Sequence, residues 1–121
     1  MTVLFGKTAL VTGASKGIGK AVALAFGEAG ANVVATARTA SEIQDVVDQI
    51  KISDGTALGV IADLGDETDI YDLASAAEDE FGGVDILVNN AAIIHSRIPV
   101  NELEPELWRE VLNVNLTGAF L

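Results

Sequence analysis

The sequence contains no cysteine and only one histidine among its 121 residues. The lack of cysteine excludes disulfide bridges, thiolate metal sites and a cysteine nucleophile, and a single histidine excludes a multi-histidine metal centre. Basic residues are also scarce: 7 Lys and Arg stand against 18 Asp and Glu, for a formal net charge of −11. A surface this acidic repels phosphate backbones, so we expect no general affinity for nucleic acid or anionic membranes.

Long apolar runs are missing as well. The longest, at residues 86–88 and 91–94, are far shorter than the roughly 20 residues that a membrane-spanning helix needs. The first residues show no basic stretch followed by an apolar one, so the sequence predicts no secretory signal and a cytoplasmic location. Half of the residues are nevertheless apolar, which is enough for the core of one domain over residues 1–121.

Short apolar runs alternate with stretches of helical period, which predicts the order β-α-β-α-β-α-β-α. The predicted strands are residues 8–12, 32–36, 57–62 and 84–89. The helices between and after them are expected to begin near Gly17, Thr39, Asp66 and Pro105. Strands that alternate with helices and are apolar on both faces predict an α/β fold, a doubly wound parallel sheet with strand order 3-2-1-4.

Apolar residues at helical spacing predict an apolar face on each helix, which in the third helix is expected to be buried. These faces are Ile18, Ala21, Val22, Ala25, Phe26 and Ala29; then Ile43, Val46, Val47 and Ile50; then Ile70, Leu73, Ala74, Ala77 and Phe81; and finally Leu107, Trp108, Val111, Leu112 and Leu116. Thr39 and Glu42 also match a capping box, in which each side chain would bond to the backbone N–H of the other residue.

Three glycines lie in the turn between the first strand and the first helix. Gly13 would permit a tight turn, Gly17 would let a pyrophosphate approach the backbone, and Gly19 would let the helix pack closely on the sheet. The following helix N-terminus would offer free N–H groups to phosphate. The alternative is a turn that serves topology alone. The residues expected to bind phosphate are Gly13, Ser15, Lys16, Gly17, Ile18 and Gly19.

Four ordered motifs resemble those of the short-chain dehydrogenase/reductase family. They are the G-x-x-x-G-x-G turn at 13–19, Asp63-Leu64 after the third strand, Asn89-Asn90-Ala91 after the fourth, and Asn113-Val114-Asn115 in the last helix. The resemblance implies a Rossmann-type fold and an NAD(P)-dependent oxidoreductase that interconverts alcohols and carbonyls by hydride transfer. It covers about the first half of such a domain, and Ala92 stands where the family usually has glycine.

The resemblance also assigns roles to single residues. It implies that Asp63 accepts a hydrogen bond from the adenine amino group with the Leu64 backbone alongside, and that Asn89 and Ala91 lie beside the adenosine ribose. For Asp63, the role of a helix N-terminal acid is an alternative or an addition. Asn115 would hold a water of the proton relay through its backbone carbonyl, or would only mark a kink or cap in its helix.

The end of the second strand predicts which dinucleotide binds. An acidic residue there would favour NAD, but the sequence is Thr36-Ala37-Arg38. Arg38 offers a planar guanidinium suited to phosphate, and Lys16 is expected to face the same place. The sequence therefore favours NADP, with NAD as the alternative if both cations are merely solvated.

The remaining catalytic residues of the resemblance are absent from this chain. The family uses a serine and a Tyr-x-x-x-Lys pair, whereas Tyr71, the one tyrosine, is followed four residues later by Ser75 and is expected at the surface. His95 and Arg97 lie in the loop after the fourth strand, where they would either line a substrate pocket or be solvated. We expect no catalysis by this chain alone.

Three functions remain open from the sequence. The chain is the cofactor-binding half of an NADP-dependent oxidoreductase with a small alcohol or carbonyl substrate, a dinucleotide-binding module without chemistry, or a fragment that associates with another chain. The fourth strand would be an apolar sheet edge over residues 84–88, and such edges favour pairing with another chain. We therefore expect homo-oligomers and exposure of Leu107, Trp108 and Val111.

Overall fold

Four parallel strands form one sheet in the order β3-β2-β1-β4, which confirms the predicted α/β, Rossmann-like topology. The structure, a computed structural model, describes residues 2–121. The strands are β1 (Thr8–Thr12), β2 (Asn32–Ala37), β3 (Thr56–Ile61) and β4 (Ile86–Val88). In register, Thr12 lies opposite Thr36, and Val11 lies opposite both Ala35 and Val88.

β4 is shorter than predicted, with three residues instead of the six at 84–89. Before it, the Asp85 carboxylate accepts a hydrogen bond of 2.8 Å from the Thr8 N–H. After it, the Asn90 N–H turns to the Thr12 hydroxyl. Side chains thus take over after β4, whereas before it the Asp85 carboxylate joins a backbone bond of 2.9 Å from the Asp85 N–H to the Thr8 carbonyl. A count of apolar residues does not reveal either arrangement.

The helices are α1 (Gly17–Glu28), α2 (Ala40–Ile52), α3 (Glu67–Phe81) and α4 (Pro105–Leu112). A short 3₁₀ turn, Val100–Glu102, precedes α4, and α4 continues as a π-helical segment over Asn113–Gly118. None of the helices in residues 2–121 has the length and apolar character needed to span a membrane.

The two faces of the sheet carry separate apolar clusters, because successive strand side chains point to opposite faces. Ala9 and Val11 of β1 belong to one cluster with Ile43 and Val47 of α2. Leu10 belongs to the other, together with residues of β2 and α3: Val34, Leu73 and Ala77. Helices therefore cover both faces of β1 and β2, and the carboxyl ends of the strands stay open as one rim.

α1 packs on the core with only part of its predicted apolar face, through Val22 and Phe26. Its buried residues are Gly19, Ala23 and Gly27, whereas Ile18 is 76% exposed and Ala21 and Ala25 are exposed as well. Close approach explains the difference: a Cβ on Gly27 would lie 2.9 Å from the Ile50 side chain. Helices that pack this tightly select small residues at the contact, which a search for apolar side chains overlooks.

The predicted face of α2 is confirmed, but its capping box is not formed. Ile43, Val46, Val47 and Ile50 are all buried. Thr39 precedes the helix as expected, yet its side chain makes no capping hydrogen bond. At α3, by contrast, an N-cap hydrogen bond is formed: the Asp66 side chain accepts from the Asp69 N–H.

The apolar faces of α3 and α4 differ from the prediction. In α3, Ile70, Leu73 and Ala77 are buried, but Ala74 is exposed and Phe81 is only half-buried. In α4 no residue is buried. Trp108 is 54% exposed, as expected, whereas Leu107 and Val111 are half-buried.

Candidate functional site

A cleft of about 310 Å³ lies at the carboxyl rim of the sheet, between the turn after β1 and the loops after β2, β3 and β4. Ligands of open parallel sheets bind in this kind of crevice. Six residues of the predicted site line it: Gly13, Ser15, Lys16, Arg38, Leu64 and Ala91. Eight lining residues were not predicted as site residues: Ala37, Thr39, Glu42, Ala62, Asn90, Ala92, Ile93 and Val114.

The glycine turn has the backbone shape that its sequence predicts. Gly13 and Gly17 have φ values of +62° and +59°, which L-residues with a side chain rarely adopt. Gly19 is buried, and a Cβ there would overlap the carbonyl oxygen of Gly13 and lie 2.5 Å from the Asn90 side-chain nitrogen. Gly19 therefore brings the first turn of α1 directly against the turn and the β4 loop.

Thr12 and Asn90 join the two walls of the cleft. The buried Thr12 hydroxyl accepts hydrogen bonds from the Asn90 N–H (3.0 Å) and the Ala91 N–H (2.9 Å), and it donates to the Val88 carbonyl (3.3 Å). In return, the Asn90 side-chain amide donates to the Thr12 and Gly13 carbonyls, both at 3.2 Å. The glycine turn is thus held to the loop after β4 by five hydrogen bonds.

Asn90 is the main residue that the sequence reasoning missed, although it stands inside the Asn89-Asn90-Ala91 motif. The pattern alone does not tell which asparagine faces the glycine turn. In the structure Asn90 does so, while Asn89 lines a second cavity near α3. The contact of Asn89 with a cofactor stays a prediction.

Asp63 organises the turn between β3 and α3. Its carboxylate accepts a hydrogen bond of 2.8 Å from the Gly65 N–H, and its own N–H donates to the Asp69 carboxylate at 2.9 Å. Asp63 is exposed and does not line the cleft, while its neighbour Leu64 does. The local role as a turn and helix-start acid is therefore seen, and the adenine contact stays a prediction.

Asn115 lies in the π-helical segment after α4 and pairs with the backbone of Ile93. Its side-chain amide donates to the Ile93 carbonyl and its oxygen accepts from the Ile93 N–H, both at 2.8 Å. Asn113 makes a similar contact with the carbonyl of Gly65, also at 2.8 Å. The widened helix thereby supports two loops at the rim, in line with the frequent occurrence of π-bulges at functional sites.

Residues of opposite charge line the cleft. Lys16 and Arg38 line it, as the sequence predicts, and so does Glu42 from the first turn of α2. Within residues 2–121 the one ion pair joins Lys20 to Asp45 at 3.2 Å, so none of these three charges is paired there. Neither α1 nor α2 has a side-chain cap on its N-terminus.

The other titratable candidates lie outside the cleft. His95 and Arg97 are exposed, and the His95 ring contacts the Ser96 carbonyl at 2.6 Å. The Tyr71 hydroxyl donates to the Glu67 carboxylate at 3.1 Å, and this bond, with the negative charge behind it, raises the pKa of Tyr71. Among the described residues, no group of three or more acidic or histidine side chains is arranged to hold a metal ion.

The second cavity, of about 300 Å³, lies beside β4 on the face covered by α3. Its wall is largely apolar, with Leu10, Ile70, Leu73, Val84 and Leu87 among the lining residues. Leu87 is 55% exposed and Val84 is 42% exposed. This part of the sheet edge therefore presents apolar surface to solvent.

Comparison with known proteins agrees with this architecture. Residues 7–121 match the family described as short chain dehydrogenase. Over 97% of its length the chain is 43% identical to "Short chain dehydrogenase/reductase dpchG" of Colletotrichum higginsianum, of which it covers 44%. Over 98% of its length it is 41% identical to "Glucose 1-dehydrogenase 2" of Bacillus subtilis, of which it covers 46%.

A solved structure shares the same fold. A metagenomic short-chain oxidoreductase, solved in complex with NADP, superposes with a TM-score of 0.93 at 36% sequence identity. The match covers 98% of this chain and 53% of that one. The chain thus spans about half the length of the proteins that it matches.

Proposed function

The chain belongs to the short-chain dehydrogenase family, and we propose that it is the cofactor-binding half of an NADP-dependent oxidoreductase that interconverts alcohols and carbonyls. The bound nicotinamide would supply or accept the hydride. This chain's own residues would hold the dinucleotide and orient it at the sheet rim. A small alcohol or carbonyl is the substrate class of the whole protein, and its location in the cytoplasm stays a prediction from the sequence.

The observation that carries the proposal is the meeting of the glycine turn and an uncapped helix N-terminus at the cleft. Gly13, Ser15 and Lys16 of the turn line the cleft, and α1 begins at the next residue, Gly17, where a Cβ would meet nothing within 4 Å. The N-terminus of α1 has no side-chain cap. Free N–H groups and the positive end of the helix dipole favour phosphate. The cleft therefore suits the diphosphate of a dinucleotide.

Asn115 supports the same proposal next to the cleft, where it pairs with the lining residue Ile93. Its side-chain oxygen and nitrogen both bond to the Ile93 backbone, and we therefore assign a catalytic part of this residue to its backbone carbonyl. That carbonyl would hold the water of a proton relay whose serine, tyrosine and lysine come from sequence beyond this half of the family's length. NADPH-dependent carbonyl reduction that appears when the second half is added would support the enzyme over a binding module without chemistry.

We infer a preference for NADP over NAD from Lys16 and Arg38, which line the same cleft. Arg38→Asp should weaken NADPH binding about ten-fold or more, because a hydrogen bond between charged groups contributes about 1.5 to 3 kcal/mol. The affinity for NADH should change far less, since its ribose carries no 2′-phosphate. Calorimetric titration of the unaltered protein and of Arg38→Asp with NADPH and with NADH measures the two effects.

Arg109→Asp is the matched control, because Arg109 lies on exposed α4 and does not line the cleft. It makes the same charge change and should leave the ratio of the affinities for NADPH and NADH unchanged. Equal affinity of the unaltered protein for NADPH and NADH, or an Arg38→Asp protein that binds NADPH as before, would contradict the preference.

We also propose that the 121-residue chain by itself self-associates through the β4 edge. Leu87 and Val84 are exposed beside an apolar cavity, and an unpaired strand edge of this kind is a template for another chain. Sedimentation velocity should show an apparent mass that rises with protein concentration. Leu87→Lys should reduce this rise. Ile52→Lys, at an exposed position on the end of α2, should not. A monomer at all concentrations would refute the proposal.

A further inference from the structure

A carboxylate lines the same cleft as the two cations. Glu42, in the first turn of α2, lines the cleft together with Lys16, Arg38 and Thr39. The pattern Thr39-x-x-Glu42 predicts a capping box, but the Thr39 side chain forms no capping bond, and the Glu42 side chain forms no hydrogen bond within residues 2–121. The Glu42 carboxylate is thus free to act on what enters the cleft.

Charged residues of both signs lie along the contact between α1 and α2. The two helices touch at Gly27 and Ile50, and nearer their N-termini Lys20 pairs with Asp45 at 3.2 Å. About one turn further in the same direction come Lys16, just before α1, and Glu42 on α2. A lysine at α1 and a carboxylate on α2 therefore occur together twice, first at Lys20 and Asp45 and then nearer the rim of the cleft at Lys16 and Glu42.

We propose that Glu42 is a specificity-determining residue that limits the preference for NADPH over NADH. The inference rests on the proposed function. A 2′-phosphate held by Lys16 and Arg38 would enter a cleft that Glu42 also lines, and the negative charges of the phosphate and the carboxylate would repel each other. The 2′-hydroxyl of NADH carries no charge and is not subject to this repulsion. Glu42 thereby offsets part of the attraction of the two cations.

A second contribution of Glu42 has to be separated from this one. An acid in the first turn of a helix also stabilises that helix through its dipole. Loss of the charge in Glu42→Gln would lower stability by that route, but equally in the presence of either nucleotide. The ratio of the two affinities, and not the melting temperature, is thus the informative quantity.

The test is titration of unaltered protein and Glu42→Gln with NADPH and with NADH. Glu42→Gln should bind NADPH about three- to ten-fold more tightly, while its affinity for NADH changes by less than about two-fold. The gain should shrink as salt is raised, because salt screens charges that solvent reaches. Glu28→Gln is the matched control: Glu28 is also exposed, but it lies at the other end of α1.

The outcomes separate the inference from the proposed function. If both nucleotides bind and the ratio of affinities is the same in Glu42→Gln and Glu28→Gln, the role of Glu42 is wrong and the dinucleotide site stands. If neither nucleotide binds the unaltered protein, the proposed function fails, and the role of Glu42 fails with it.

Discussion

Replacing Gly19 with alanine should lower the free energy of unfolding by about 3 kcal/mol or more and should abolish dinucleotide binding. The new Cβ would overlap the Gly13 carbonyl oxygen and would lie 2.5 Å from the Asn90 side-chain nitrogen. Neither group can move alone, because Asn90 is itself bonded to the Thr12 and Gly13 carbonyls. The helix would have to shift away from the turn, and with it the N–H groups that we expect to bind phosphate.

Gly27→Ala provides the control within the same helix. Gly27 is also buried, and a Cβ there would meet only the Ile50 side chain, at 2.9 Å from its Cγ2 methyl. A side chain shifts more easily than a backbone carbonyl, and alanine is favoured over glycine in a helix by about 1 kcal/mol. Gly27→Ala should therefore lose about 1 to 2 kcal/mol, less than Gly19→Ala, and keep its affinity for dinucleotide.

Urea denaturation and NADPH titration of the two variants check this prediction. A Gly19→Ala protein as stable as Gly27→Ala would mean that α1 can move away from the glycine turn at little cost. In that case close packing at Gly19 would not be the reason for a glycine at this position.

The strand order could be predicted from the sequence because the same pattern, an apolar run followed by a helical period, is repeated along the chain. Each strand is a continuous apolar run and each is followed by a helical pattern, so an error at one boundary leaves the topology unchanged. The same redundancy explains why the face of α2 was predicted correctly: Ile43, Val46, Val47 and Ile50 are large and apolar on one side only. The glycine turn was predictable because its backbone requirements leave few residue types possible.

Features that depend on a single contact were not predictable in this way. The face of α1 was predicted only in part, at Val22 and Phe26, because its closest contacts are made by Gly19, Ala23 and Gly27, which carry little hydropathy. Asn90 was missed because the sequence does not show which of two adjacent amides turns toward β1. Thr39 and Glu42 fit the sequence pattern of a capping box, but the Thr39 side chain forms no capping hydrogen bond. Whether that bond forms depends on side-chain geometry, which the pattern does not specify, and Glu42 lines the cleft.

Thr12→Val is the second variant with a large expected effect, and Thr36→Val is its counterpart on the neighbouring strand. Thr12 and Thr36 lie opposite each other in the register of β1 and β2, and both are buried. The Thr12 hydroxyl takes part in three hydrogen bonds with the segment from Val88 to Ala91. The Thr36 hydroxyl has no partner within residues 2–121.

Because a buried N–H left without a partner costs about 1 to 3 kcal/mol, Thr12→Val should lower the free energy of unfolding by about 2 kcal/mol. The Ala91 N–H loses its acceptor, and the Asn90 N–H keeps only its bond of 3.1 Å to the Val88 carbonyl. The loop after β4 would also be held less firmly to the glycine turn, so NADPH affinity should fall together with stability. Thr36→Val removes a hydroxyl that bonds to nothing in the described chain and should change stability by less than about 1 kcal/mol.

Equal losses in the two variants would overturn this account, because they would mean that burial of the hydroxyl, and not its bonding, sets the cost. The double variant gives a further check. Neighbouring residues commonly couple by about 0.5 to 3 kcal/mol, and because Thr12 and Thr36 are neighbours in the sheet that share no hydrogen-bond partner, we expect their coupling at the low end of this range. A larger coupling would show that the glycine turn depends on β2 as well as on the loop after β4, through the bond from the Ala14 N–H to the Thr36 carbonyl.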